Sequence, residues 1–211
     1  MSQAKIGILN YNTGNLHSVQ NALHKIGANA EIFNTPEQMA SFDKLLLPGV
    51  GSFGVAMDHL REYNLIESIL EFAQSGKYIL GICLGSQILF EQGSEFGTHK
   101  GLGLIEGEVV AFDPTKMQDD KSTNLKIPHM GWNTLHAKKD PLFTGLSDEV
   151  YCYFVHSFHM KCAEKHTLAT TKYGYEFASA VKKDNIYGFQ PHPEKSHDNG
   201  LKILENFANL R

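Results

Sequence analysis

The sequence predicts an α/β fold: a mostly parallel central sheet flanked by helices in three layers, with a smaller antiparallel region in the second half. Three observations carry that reading. Short, continuous apolar runs alternate with helical periodicities through the first 90 or so residues, the pattern of parallel strands buried on both faces. After that the long helical patterns cease, and apolar runs follow one another through turns until a single amphipathic stretch at the end. The length of 211 residues suits one sizeable core and is short for two, so residues 1–211 are expected to form a single domain.

The elements follow in order. KIGIL (5–9) is a short buried strand, and GNLHSVQNALHKIG (14–27) sets Leu16, Val19, Leu23 and Ile26 on one helical face. AEIF is a brief strand. In TPEQMASF, Thr35 suits an N-cap, Pro36 the first helical turn and Gln38 the far end of a capping box. KLLL (44–47) runs into PGVGSFG, helical segments extend through AMDHLREYNLIESILEFAQSG, and KYILGI (77–82) is the next strand. Further on, GLGLIEGEVVAF, VYCYFVHSF, TLATTKY, YEFASAVKK and NIYGFQ read as strands, before a last helix striped by Leu201, Leu204 and Phe207. The polar, aperiodic segment 113–126 reads as an exposed loop.

Composition excludes several classes. A net charge of −4 with no Lys/Arg cluster argues against nucleic acid. Eleven histidines are scattered, with no HExxH and no Cys/His metal spacing. Cys83, Cys152 and Cys162 form an odd set without CxxC, which fits a reduced, cytosolic chain. A strand begins within the first few residues, leaving no signal peptide, and no apolar run approaches the roughly 20 residues of a membrane span. A soluble cytoplasmic protein is expected.

The chemistry concentrates at YILGICLGSQILFE (78–91). Gly81-Ile82-Cys83-Leu84-Gly85 places a thiol between glycines where a strand becomes a helical pattern. Such a turn holds its central residue in strained backbone, and the glycines remove Cβ clashes where neighbouring chain comes close. The amides of the following helix would favour thiolate. A nucleophile needs a base and the base an orienter. GFQPHPEKS supplies His192, kept extended by Pro193, and Glu194, two residues on and facing the same way along an extended segment. An acyl-transfer site also needs amides aimed at the oxyanion, and PGVGSFG (48–54) brings Gly49, Gly51 and Gly54 directly after a strand. It is neither a P-loop nor GxGxxG. Each piece alone has a bland alternative: a small buried cysteine, a loop histidine beside a solvated carboxylate, a glycine-rich turn.

Together, GICLGSQ and PHPE resemble the class I (triad) glutamine amidotransferases, whose fold is flavodoxin-like and whose Cys-His-Glu triad hydrolyses the side-chain amide of glutamine. The resemblance runs nearly end to end. YNTGNLHSV, LPGVGSFGVAM, GLGLIEGEV, IPHMGWN and YFVHSFH are similar to the glutaminase subunits of imidazole glycerol phosphate synthases, which serve histidine biosynthesis. The resemblance implies Cys83 as nucleophile, His192 as general base and acid, and Glu194 as orienter. It implies oxyanion amides at Leu84 and within Gly49-Val50-Gly51, and substrate contacts at Gln87, Ser157 and Phe158. No metal or organic cofactor is implied. Pro191 departs from the family, which usually has an aromatic or other apolar residue there, and the 113–126 loop is longer than in the leanest members.

The resemblance also implies a partner, a (β/α)₈-barrel cyclase subunit forming a heterodimer and receiving ammonia through an enclosed path. With the chain ending at Arg211, that cyclase is expected to be a separate polypeptide. Asn12, Asn15, Trp132 and Tyr153 would face it. For Trp132, an interface anchor and a plug of the chain's own core are equally compatible with the sequence. Three other functions share these residues: a paralogue feeding ammonia to a different synthase such as a modified-sugar amidotransferase, a non-catalytic regulatory module, and a general cysteine hydrolase.

Overall fold

The apolar runs pair into one sheet of 13 strands in the computed structural model, which describes residues 4–119 and 122–211. The first half contains β1 (Lys5–Leu9), α1 (Leu16–Lys25), β2 (Asn29–Phe33), α2 (Pro36–Met39), β3 (Lys44–Gly49), α3 (Phe53–Glu62), α4 (Leu65–Gln74) and β4 (Tyr78–Cys83). The second half contains α5 (Leu84–Gln87), β5 (Phe90–Gly93), β6 (His99–Lys100), β7 (Ile105–Ala111), β8 (His129–Ala137), β9 (Glu149–His156) and β10 (Phe158–Lys161). It closes with β11 (Thr167–Tyr173), β12 (Tyr175–Lys183), β13 (Ile186–Phe189) and α6 (His197–Asn209).

The strand order β2-β1-β3-β4-β13 is parallel throughout, and β13 then pairs antiparallel with β12. β10, β7, β5 and β6 extend the sheet, while β11, β8 and β9 branch from β12 as an antiparallel ribbon. Alternation along the strands divides the core in two. Leu46 and Leu80 face Val19 and Leu23 of α1 and Ile203, Leu204 and Phe207 of α6. Leu45, Leu47 and Ile79 face Ala56, Met57 and Leu60 of α3 and Leu65, Ile69 and Phe72 of α4. The three layers follow from those two faces. Among the described residues, no helix is long and apolar enough to cross a membrane.

Three local expectations differ from what forms. Thr35 has the extended backbone of an N-cap, but its hydroxyl donates to Gln38 Oε1 at 3.2 Å and no capping box closes. The helix after Cys83 is one turn long, because Ile88, Leu89 and Phe90 are all buried and the chain enters the core as β5. Within 113–126, Met117 is buried in the core, its carbonyl accepts from the Leu125 amide at 2.9 Å, and Gln118 bridges Asn124. That loop is therefore anchored by the buried Met117, with Leu125 packed against the same core, which its polar composition concealed; positions 120 and 121 lie outside the described residues.

A candidate active site at the strand ends

Ligands of open α/β sheets bind beyond the carboxyl ends of the strands. Cys83 is the last residue of β4, and the register sets it beside Gly49, the last of β3. Its backbone sits at φ 53°, ψ −113°, a conformation disfavoured for any L-residue. The flanking glycines are required by approach of the main chain. A Cβ on Gly85 would lie 1.7 Å from the Leu47 carbonyl oxygen, and one on Gly81 would lie 2.4 Å from that of Gly85. The Ser86 hydroxyl donates to the Cys83 carbonyl at 2.6 Å and helps to fix the turn. The Cys83 thiol points toward the Val155 carbonyl at 3.9 Å and receives Gln190 Nε2 at 3.7 Å, both loose contacts that leave the sulfur free to move.

His192 and Glu194 meet as expected, by a different local route. His192 is extended, but Pro193–Lys195 forms a 3₁₀ turn that folds the carboxylate back onto the ring. His192 Nδ1 donates to Glu194 Oε1 at 2.8 Å, with both side chains buried. The backbone is held independently: the His192 amide donates to the Tyr153 carbonyl at 2.9 Å, and Ser196 Oγ donates to the His192 carbonyl at 2.6 Å. Pro191 lies between this bond and the Gln190 amide, which donates to Ser179, so both neighbours keep their pairing. Burial is the largest influence on the His192 ring and disfavours its charge. Hydrogen bonding and charge from Cys83 and Glu194 together outweigh it and raise His192 to about 10. Those influences favour the protonated ring, and among the described residues its Nε2 has no partner within hydrogen-bonding geometry.

The 49–51 segment is close to Cys83, but its donors are not all free. The Val50 amide donates to the Thr13 carbonyl at 3.0 Å. Gly51, at φ 113°, has the freedom that segment needs. The Leu84 amide opens α5, where no intrahelical acceptor exists. A cavity of about 400 Å³ is lined by Val50, Gly51, Cys83, Leu84, Gln87, Ser157, Phe158 and His192, all named from sequence, and also by Glu95, Pro128, Val155 and His156. Glu95 is the only carboxylate among these lining residues, and its Oε2 accepts the Phe53 amide at the N-terminus of α3. Nothing in GSEFG marked it. Gln190 was hidden for a similar reason, since only the β13 register brings it to the sulfur.

Of the four residues expected to face a partner, Asn15 and Tyr153 bond the triad segment and Trp132 packs beside Tyr153. Asn15, at φ 64°, donates from Nδ2 to Glu194 Oε1, the oxygen that also holds His192. Tyr153 supplies the carbonyl that anchors His192. Trp132, 38% exposed, stacks on Tyr151 and on His197, with Tyr153 against its edge. The plug alternative for Trp132 does not hold. Asn12 is exposed, also at φ 64°. Among the described residues, no group of three or more His, Cys, Asp or Glu side chains is placed to hold a metal ion.

A strained thiol at a strand end, with an imidazole on the same cavity backed by a buried carboxylate, defines a cysteine amidohydrolase type of site. The chain matches the family Glutamine amidotransferase class-I over residues 8–210 and belongs to it. It is 60% identical to "Imidazole glycerol phosphate synthase subunit HisH" of Sulfurimonas denitrificans, covering 98% of each chain. The protein of the same name in Wolinella succinogenes is 55% identical over 97% of this chain and 99% of its own. Among solved structures, "Structure of PurLQS from Thermotoga maritima" shares the fold with a TM-score of 0.74 at 19% identity, covering 99% of each chain. A further structure, described as a glutamine amidotransferase, superposes with a TM-score of 0.73 at 19% identity, over 97% of this chain and 99% of its own.

Proposed function

We propose that this chain is the glutaminase subunit of a cytoplasmic imidazole glycerol phosphate synthase, acting as a single domain with a (β/α)₈-barrel cyclase as partner. The observation that carries the reading is that Cys83, at its strained turn, shares one cavity with His192, which Glu194 holds from behind. The near full-length identity to proteins named HisH supports the choice of synthase.

Thiolate Cys83 attacks the side-chain amide carbon of glutamine. The oxyanion is received by the Leu84 amide and by an amide of the 49–51 segment. His192 passes its proton to the departing nitrogen, and ammonia leaves a γ-glutamyl thioester. Water activated by His192 then hydrolyses the thioester to glutamate. Glu194 holds the ring and steadies its charge, with Asn15 fixing the shared oxygen. Glu95 offers a negative charge to the substrate ammonium. Ammonia in neutral water is mostly protonated and no longer nucleophilic, so an enclosed route to the cyclase serves the reaction. The cyclase uses it to form imidazole glycerol phosphate and AICAR.

The decisive assay measures glutamate release with and without the purified cyclase subunit and its nucleotide ligand. Low turnover alone and a steep rise in the complex are expected. Equal turnover in both would remove the coupling, and activity unchanged by Cys83→Ala would remove the triad.

A further inference from the structure

His156, on the cavity wall, and His129 behind it lie buried within an aromatic box of Phe112, Phe154, Tyr173 and Phe177, where apolar side chains would pack as well. Their hydrogen bonds have a direction that can be deduced from both ends. At one end His156 Nδ1 lies 2.8 Å from the Phe158 carbonyl. A carbonyl only accepts, so Nδ1 carries the proton, and in the neutral ring Nε2 is an acceptor. Its neighbour, His129 Nδ1 at 3.0 Å, must then donate. At the other end the Asn133 amide is oriented by two backbone groups. Its Oδ1 accepts from the Thr134 amide at 2.8 Å, and its Nδ2 donates to the Lys172 carbonyl at 3.0 Å. Nδ2 therefore also donates to His129 Nε2 at 3.2 Å, which again leaves the His129 proton on Nδ1. The two ends agree, and neither ring has room for a second proton.

The Phe158 carbonyl where this chain ends is also bonded by Gln87 Nε2 at 3.0 Å. Gln87 Nε2 spends its other hydrogen on Gln190 Oε1 at 3.0 Å. Gln87 is thereby fixed with both amide hydrogens turned inward. Its Oε1, without a partner among the described residues, is left as the acceptor at the cavity.

We propose that His129 and His156 are positioning residues for substrate: a one-way relay from Asn133 through both rings fixes the Phe158 carbonyl and, through it, the Gln87 acceptor that recognises an N–H donor of glutamine. The inference rests on the glutaminase reading above. Burial supports a neutral relay, pushing His129 down to about 4 and His156 well below the usual histidine range, the latter reinforced by the neighbouring His129.

Two measurements on the full chain test it. Nitrogen NMR of ¹⁵N-histidine-labelled protein should show both rings neutral and protonated at Nδ1 from pH 8 to pH 5. An Nε2–H tautomer in either ring, or a charge gained in that range, overturns the relay. Glutamine binding is then measured by calorimetry in a Cys83→Ala background, with and without His129→Phe, which keeps the ring stack but breaks the chain. At least tenfold weaker binding is expected, matched in the cyclase complex of the otherwise unaltered enzyme by a tenfold higher KM with kcat within about twofold. Should His129→Phe fail to fold, Asn133→Asp replaces the donor by an acceptor of equal size and is expected to weaken binding equally. Unchanged binding overturns the positioning role alone. No glutamine binding to the Cys83→Ala chain overturns the substrate reading, and the positioning role with it.

Discussion

The Val50 amide is bonded to the Thr13 carbonyl at 3.0 Å, so the loop after β3 is tied to the loop after β1. Thr13 Oγ1 adds a second tie, to the Pro48 carbonyl at 3.2 Å. An amide committed to Thr13 cannot also receive an oxyanion, which gives a structural reason to expect low activity of the chain alone. Release requires the Gly49–Val50 peptide to turn, and space around Gly49 is tight. A Cβ there would lie 2.6 Å from the Tyr11 hydroxyl and 3.2 Å from Leu84 Cβ. Gly49→Ala is expected to lower cyclase-stimulated kcat by on the order of 10²–10³, the usual cost of one oxyanion donor. Adding Tyr11→Phe removes the obstructing oxygen and should restore part of it. Full stimulated turnover in Gly49→Ala would rule this turning out.

His192 at about 10 stands above the ordinary 6.5 because Cys83 and Glu194 overcome burial. Removing the sulfur with Cys83→Ala leaves burial opposed by Glu194 alone, so the ring should titrate at lower pH, followed by imidazole NMR shifts. The sign for folding follows from linkage. Stability from this group is complete below about pH 6.5 and is lost as pH rises through 10. Cys83→Ala should therefore show less alkaline loss of stability than the parent chain.

Asn15 holds the Glu194 oxygen that holds His192, from a left-handed backbone position that glycine also tolerates. Asn15→Gly should keep the fold and lower kcat for glutamine by about tenfold or more, as for loss of a hydrogen bond to a charged group. An unaltered kcat would show that Glu194 needs no second partner.

Glu95 is the cavity carboxylate outside the triad, anchored on the Phe53 amide. Glu95→Gln keeps an acceptor for that amide while removing the charge. The expected result in a steady-state assay is a raised KM for glutamine with the alkylation rate of Cys83 unaffected. A KM equal to that of the parent enzyme would place the substrate ammonium elsewhere.

Met117 anchors the 113–126 loop in the core. Met117→Ala should cost about 2–5 kcal/mol in urea unfolding, the range for a buried methionine truncated in a packed core. A loss under 0.5 kcal/mol would return the whole segment to solvent.

The parallel half of the fold was legible because each strand is short, continuous and punctuated, and because Gly81 and Gly85 flank Cys83 where the main chain passes too close for any side chain. The pairing of His192 with Glu194 was legible too, although an extended segment was expected where a 3₁₀ turn does the work. Less could be read where spacing carries no signal: β8 was known only as PHMGWN, and the one-turn α5 was masked by an apolar stretch that fits helix and strand equally.

The sequence by itself determined the thiol, the imidazole and the carboxylate, their family and the sheet that carries them, since local backbone needs and apolar periodicity are written residue by residue. Only the tertiary structure decided that Asn15 reaches Glu194, that Gln190 and Glu95 join the site, and that the Val50 amide belongs for now to Thr13. Those contacts join positions far apart in the chain, and hydrogen bonds have no periodicity to announce them. Strand register and loop closure alone place donor against acceptor.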